Sequence, residues 1–148
     1  MSEGRGTTRP FELIGAPYID SERFASELNQ LNLPGVRFRA CVFMPTFQKH
    51  AGKACGGVQI HVTDRNVFEP VMAGVAVVKK AFDMYPEDFR WKVPPYEYEY
   101  ERNPFDVIAG TTKLRQQIES GESLSRIVES WQPGLEEFAR LRNSVLLY

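Results

Sequence analysis

The residues best suited to chemistry crowd between Cys41 and His61: Cys41, Lys49, His50, Cys55, Gln59 and His61. His50 and His61 are the only histidines, and Cys41 and Cys55 the only cysteines. Thiols and imidazoles at this density raise two possibilities, a zinc site and a thiol–imidazole nucleophile pair. The spacings match no standard zinc motif, and no glycine elbow surrounds either cysteine. No metal and no cofactor is therefore expected, and hydrogen bonding to a substrate is the commoner role for such side chains.

Three stretches could carry recognition. "PTFQKH" (45–50) offers the apolar face of Phe47 beside the donors Lys49 and His50. Equally, Phe47 could anchor the loop on the core while the polar residues face water. "SEGRGTTRPFE" (2–12) sets Arg5 between Gly4 and Gly6 and follows it with Thr7 and Arg9-Pro10. It has no hydrophobic period, so it reads as loop. The paired glycines permit a close backbone approach with one guanidinium aimed outward, although first residues are also commonly disordered. "PPYEYEYE" (94–101) alternates Tyr96, Tyr98 and Tyr100 with Glu97, Glu99 and Glu101. Rings beside carboxylates suit sugars, and the same pattern suits a plain amphipathic edge strand.

The elements that must position these residues are legible from periodicity. "GAPYID" is a turn that places Asp20 or Ser21 to cap a helix carrying Phe24, Leu28 and Leu31. "VRFRACVF" (36–43) alternates as a strand, with Val36, Phe38, Ala40 and Val42 on one face. A long loop (44–57) leads to a second strand, 58–63, whose polar face collects Gln59, His61 and Thr63. Asp64 is placed to cap a helix reaching Tyr85, with Pro70 in its first turn. A loop, a possible strand at 96–101, a short helix ended by Gly110 and a helix around Leu114 and Ile118 follow. A last helix from Leu124 to Leu141 is interrupted at Pro133-Gly134, and the apolar "SVLLY" end is expected to pack down. The order predicts an α+β fold: a small, mostly antiparallel sheet covered by helices, with a C-terminal helical segment.

At 148 residues the chain is the size of one domain, and no repeat or low-complexity linker divides it. A net charge of −1 argues against a nucleic-acid binder driven by bulk electrostatics. No apolar run is long enough to span a bilayer, and the N-terminus lacks the basic-then-apolar pattern of a signal peptide.

"SEGRGTTRPFELIGAPYID", "PTFQKHAGKACGGVQIHVTD", "PPYEYE" and the closing "LLY" together resemble the C-terminal part of the exo-β-N-acetylmuramidase family of bacterial peptidoglycan glycoside hydrolases. The resemblance runs in order from residue 2 to the last residue. It implies a second domain, residues 1–148, whose first 15 residues form the loop arriving from a Rossmann-like N-terminal domain not present in this sequence. It also implies a cleft shared with that domain, release of N-acetylmuramic acid from non-reducing ends, and peptidoglycan fragments as the binding partner. The implied substrate-binding residues are Arg5, Thr7, Lys49, His50, Gln59 and His61, with Tyr96 and Glu97 as further candidates. No proton donor is assigned, and Glu3, Glu12 and Glu97 are the acids within reach of such a role. The parent protein is expected to be exported or periplasmic. Two other readings stand beside this one: a non-catalytic module that binds muropeptide or glycan, and a protein-interaction domain, which, separated from its partner, would expose an apolar patch.

Overall fold

The computed structural model describes residues 1–147, and the final Tyr148 of the "LLY" block lies outside them. The fold is α+β, with a small antiparallel sheet and helices. The chain forms two compact units, Met1–Arg90 and a second beginning at Trp91.

The first unit contains the sheet. β1 (Leu13–Ala16), β2 (Val36–Phe43) and β3 (Cys55–Val62) pair antiparallel in the order β1-β3-β2. Helices α1 (Ser21–Asn29) and α2 (Pro70–Met84) complete the unit. Phe24 and Leu28 of α1, Val36 and Phe38 of β2, Val58 of β3 and Val77 of α2 are buried in its core. Asp20 caps α1 by accepting a hydrogen bond from the Arg23 N–H at 3.0 Å. β2 is an edge strand, and Asn29 closes that edge. Its side-chain amide donates to the Phe38 carbonyl at 2.7 Å and accepts from the Phe38 N–H at 3.0 Å, so two strand groups that face away from β3 are satisfied.

β2 spans the residues its alternation indicates. Its core face holds only through Phe38: Val42 is exposed and Phe43 is buried. The inversion has a local cause. Gly15 of β1 leaves room on the opposite face, where a Cβ at that position would meet the Phe43 ring at 2.9 Å.

Several expectations are corrected. Residues 13–16, expected to be the end of the 1–15 loop and the start of the "GAPYID" turn, form β1, with Leu13 opposite Gln59 and Gly15 opposite Gly57. Four residues are too few to show a period, and the strand is defined by its partner. Ser2 extends the pairing through two backbone bonds to Gly15, at 2.7 and 3.0 Å. Asp64 caps a turn, accepting from the Asn66 N–H, and α2 starts later, with Glu69 at its N-cap and Pro70 in the first turn.

The second unit is helical: α3 (Pro104–Ala109), α4 (Lys113–Glu119), α5 (Leu124–Glu129) and α6 (Gln132–Val145). Gly110 ends α3 in the left-handed conformation at φ 71°. Asp106 of α3 grips Arg115 of α4 through two bonds of 2.9 Å, and Ile118 and Ile127 are fully buried. The 96–101 stretch is no strand. Tyr96 and Glu99 exchange backbone bonds of 2.8 and 3.0 Å across a tight turn. The Glu99 carboxylate accepts from the N–H groups of Glu101 and Arg102 and from the Arg102 side chain. Those bonds, the Glu101 N–H foremost, lower its pKa to about 2. Alternation misleads here because local carboxylate–backbone bonds outcompete a ladder with no neighbouring strand. The last helix is two helices: Pro133 opens α6 instead of kinking a longer one, as its missing N–H allows. No residue of α6 is buried, and Leu146 and Leu147 are exposed, so the apolar end does not pack down within the described residues.

Candidate functional site

Two linked polar groups lie on the first unit, both built around the N-terminal loop. The loop is held by its glycines. Gly6, at φ 83°, lies so close to the next loop that a Cβ there would sit 2.8 Å from both the N and O of Phe47. Its carbonyl accepts from the Thr46 N–H and the Thr46 hydroxyl, each at 2.9 Å. The backbone approach suggested by the paired glycines is therefore made to the 45–50 loop of the chain itself. Thr7 serves the same folding. Its hydroxyl donates to the Gly4 carbonyl at 2.6 Å and accepts from the Arg9 N–H at 3.1 Å.

This docking brings Arg5 and Lys49 to one carboxylate. Lys49 Nζ lies 2.8 Å from Glu3 Oε2, and Arg5 Nε lies 3.3 Å from Glu3 Oε1. Burial alone would raise the Glu3 pKa, but the Lys49 hydrogen bond and the charges of Lys49 and Arg5 outweigh it and hold the carboxyl below its ordinary value. The Arg5 guanidinium also stands over the Phe11 ring, 5.5 Å from its centroid. Phe11 and Phe47 are both exposed. His50 is half-buried beside Lys49, in a left-handed backbone conformation at φ 60°. Its pKa is lowered, first by burial and then by nearby positive charges including Lys53 and Lys49, so the neutral imidazole is favoured.

The second group lies on the sheet. β2–β3 register sets Arg39 opposite Gln59 and Arg37 opposite His61, so all four share one face. Arg39 divides its guanidinium between the Gln59 Oε1 and the His61 Nε2, the latter at 3.4 Å. The bond to Nε2 places the proton of a neutral His61 on Nδ1. Gln59 is buried, and its amide nitrogen donates to Glu12 Oε2 at 3.2 Å; Arg9 Nη1 bonds the same oxygen at 3.0 Å. The result is a continuous polar chain, His61–Arg39–Gln59–Glu12–Arg9. Arg9 and then Gln59 hold Glu12 below its ordinary carboxyl pKa.

Of the residues singled out from sequence, Arg5 and Lys49 come together through Glu3, and Gln59 and His61 through Arg39. Thr7 is occupied inside the loop. Tyr96 and Glu97 belong to the second unit, where Lys92 Nζ lies 5.3 Å from the Tyr96 ring centroid and Glu97 is exposed. Glu3 as a hub and Arg39 as a bridge are legible only from tertiary pairing and strand register. Cys41 and Cys55 are free thiols, and burial raises the pKa of both. Among the described residues no group of three or more histidine, cysteine or acidic side chains could hold a metal ion, and no helix is long and apolar enough to cross a membrane.

The exposed donors suit anions and sugar hydroxyls: two cations that share the Glu3 carboxylate, one of them over an aromatic ring, and a guanidinium and an imidazole on the sheet, the guanidinium held by a buried amide. The arrangement is poorly suited to giving up a proton. A general acid working near neutral pH needs a raised carboxyl pKa, whereas Glu3 and Glu12 are both held ionised.

The profile of the family described as "Exo-beta-N-acetylmuramidase NamZ, C-terminal" matches residues 1–148. The chain is 47% identical, over all 148 of its residues, to the peptidoglycan beta-N-acetylmuramidase NamZ of Bacillus subtilis (strain 168), of which it covers 34%. The fold is similar to the crystal structure of a DUF1343 family protein from Bacteroides fragilis NCTC 9343, with a TM-score of 0.83 and 26% identity. That match covers 100% of this chain and 38% of the other. The chain thus spans about a third of the length of the curated relative it matches.

Proposed function

Because the chain belongs to the exo-β-N-acetylmuramidase NamZ family, as its C-terminal part, we propose that it forms the substrate-binding side of a peptidoglycan exo-β-N-acetylmuramidase that releases N-acetylmuramic acid from non-reducing ends. The partner is a Rossmann-like N-terminal domain that supplies the proton donor. The observation that carries this reading is the convergence of Arg5 and Lys49 on Glu3, in two loops matched by the family profile.

N-acetylmuramic acid bears a lactyl carboxylate. Arg5 and Lys49 already hold one carboxylate between them, and a substrate carboxylate would meet the same donors in exchange for part of the Glu3 contact. Arg39 and His61, both exposed, offer a guanidinium and an Nδ1–H to sugar hydroxyls and the acetamido group, while the buried Gln59, bonded to both Arg39 and Glu12, orients the guanidinium. Glycoside hydrolysis ordinarily requires two carboxyl groups, one of them protonated. With Glu3 and Glu12 held ionised, neither is the proton donor, and that role falls to the N-terminal domain.

The test joins the chain to the N-terminal domain of a family member and assays a chromogenic muramic acid glycoside. Activity in the joined form, lost or strongly reduced by Lys49→Met, supports the reading. Hydrolysis by the 148 residues alone removes the need for a second domain, and an inactive but folded joined protein overturns the activity.

A further inference from the structure

Phe11 stands in a backbone conformation that suits its side chain poorly. The Glu12 N–H donates to the Arg9 carbonyl at 3.3 Å, which closes a turn with Pro10 and Phe11 at its centre. Proline followed by a residue at positive φ is the pattern of a type II turn, whose second central position favours glycine or asparagine. Phe11 occupies that position at φ 67°. A bulky residue held there is strained, and such strain points to a role for the side chain. Burial in the core is not that role, because Phe11 is 62% exposed.

The contacts around the ring indicate another. The Phe11 N–H donates to the Glu3 carbonyl at 2.7 Å. The Glu3 carboxylate meets Arg5 Nε at 3.3 Å, and the Arg5 guanidinium stands over the Phe11 ring. Glu3 thus fixes both residues, one through its backbone and one through its side chain. Arg5 is held at Nε and by the ring. Its Nη1 and Nη2 groups make no hydrogen bond or ion pair among the described residues, and the side chain is half-exposed. A planar guanidinium with those two groups open is the fork that takes a carboxylate through two parallel bonds. Every residue of this arrangement belongs to the first unit.

We propose that Phe11 is a positioning residue for Arg5, holding the guanidinium so that Nη1 and Nη2 donate to the carboxylate of an acidic amino sugar, and so favouring that sugar over its neutral counterpart. This role rests on the reading of Arg5 and Lys49 as holders of the substrate carboxylate, and it adds the residue that gives Arg5 its direction. An unrestrained arginine loses rotamer freedom when it binds. The ring contact removes part of that loss before the ligand arrives.

NMR titration of the 148-residue chain with N-acetylmuramic acid, and in parallel with N-acetylglucosamine, tests this beside thermal unfolding. The wild type is expected to prefer N-acetylmuramic acid. Phe11→Gly relieves the turn and should unfold at or above the wild-type temperature. It should nevertheless lose about two- to fivefold in affinity for N-acetylmuramic acid, the range for an exposed cation–ring contact, and none for N-acetylglucosamine. Phe11→Tyr keeps the ring and should keep the preference. The Arg5 Nε–H signal reads positioning without any ligand: it should exchange with water faster in Phe11→Gly than in wild type or Phe11→Tyr. A preference or an Nε–H exchange rate unchanged in Phe11→Gly overturns the role of Phe11 and leaves the carboxylate reading standing. So does a lowered unfolding temperature, which would assign the ring to the fold. No preference in the wild type overturns the carboxylate reading itself, and the selectivity of Phe11 with it.

Discussion

Glu3 and Lys49 stand 46 positions apart in sequence and 2.8 Å apart in space. This pair, with the Gly6–Thr46 bonds, fastens the N-terminal loop onto the loop before β3. It turns two irregular segments into one surface. Glu3→Gln should lower stability by about 1 kcal/mol or less, the range for partly exposed pairs. The lowered Glu3 pKa fixes the sign of the pH effect. Its contribution is present above the ordinary carboxyl value and fades as pH falls through the folded one. Urea unfolding at neutral pH and near pH 3 should therefore show a wild-type advantage that shrinks in acid. An equal gap at both would remove the ion pair from the account.

Gly6 is the more stringent lock. Alanine there must adopt φ near 83° and place its Cβ against the Thr46–Phe47 backbone, which cannot yield as a flexible side chain would. A cost above about 1 kcal/mol is expected, with wider spectral change in residues 45–50 than elsewhere. Gly52 is also at positive φ but has nothing within 4 Å, so Gly52→Ala carries only the conformational strain. If the two variants unfold alike, the close packing of Gly6 is not what matters.

How far the sequence discloses this depends on the range of the interaction. α1 and its Asp20 cap, the limits of β2 and the Gly110 stop follow from local pattern, because each is decided within a few residues. β1 is not legible: Leu13–Ala16 has no period of its own and becomes a strand by pairing with β3. The turn at Tyr96–Glu99 defeats alternation because the Glu99 carboxylate binds its own chain. The site divides in the same way. Lys49, His50, Gln59 and His61 stand out by type, whereas the role of Arg39 depends on cross-strand register and that of Glu3 on a loop contact.

Asn29 offers a test of edge closure. Its side chain supplies both a donor and an acceptor to Phe38, at 2.7 and 3.0 Å. Asn29→Ala leaves both backbone groups without that partner and should cost about 1–3 kcal/mol. Asn29→Asp should recover the bond from the Phe38 N–H while setting a carboxylate against the Phe38 carbonyl, and so should fall below wild type. Faster amide exchange at Phe38 in the alanine variant is the direct readout. Unchanged exchange there would mean that water replaces the side chain at no loss.

In the second unit, Asp106→Asn should weaken the α3–α4 connection. Asp106 is buried and meets Arg115 through two parallel bonds, while Arg115 also reaches Glu119 at 3.1 Å. The asparagine keeps the shape but loses the charge and one acceptor, for an expected loss of about 2 kcal/mol. Glu119→Gln, on the exposed side of the same guanidinium, should cost about 0.5 kcal/mol or less. A reversed order in thermal unfolding would move the anchor of Arg115 from the buried carboxylate to the exposed one.

Acid should weaken the first unit in two stages. His50 has a folded pKa below its ordinary value, chiefly through burial, so the fold favours the neutral ring. That preference is present above about pH 6.5, the ordinary imidazole value, and is lost as pH falls through the lower folded pKa. Glu3 and Glu12 follow at lower pH, since both are held below the ordinary carboxyl value and their contributions fade as they protonate. His50→Gln should remove the His50 part of the first stage between pH 7 and about pH 5, leave the part due to the half-buried Met1 amino group, whose pKa is also lowered, and leave the later decline unchanged. The check is a set of denaturant midpoints across that range, read beside the His50 ring-proton titration. A His50 midpoint above that of a model histidine would reverse the sign of the first stage and assign the ring a stabilising anionic neighbour.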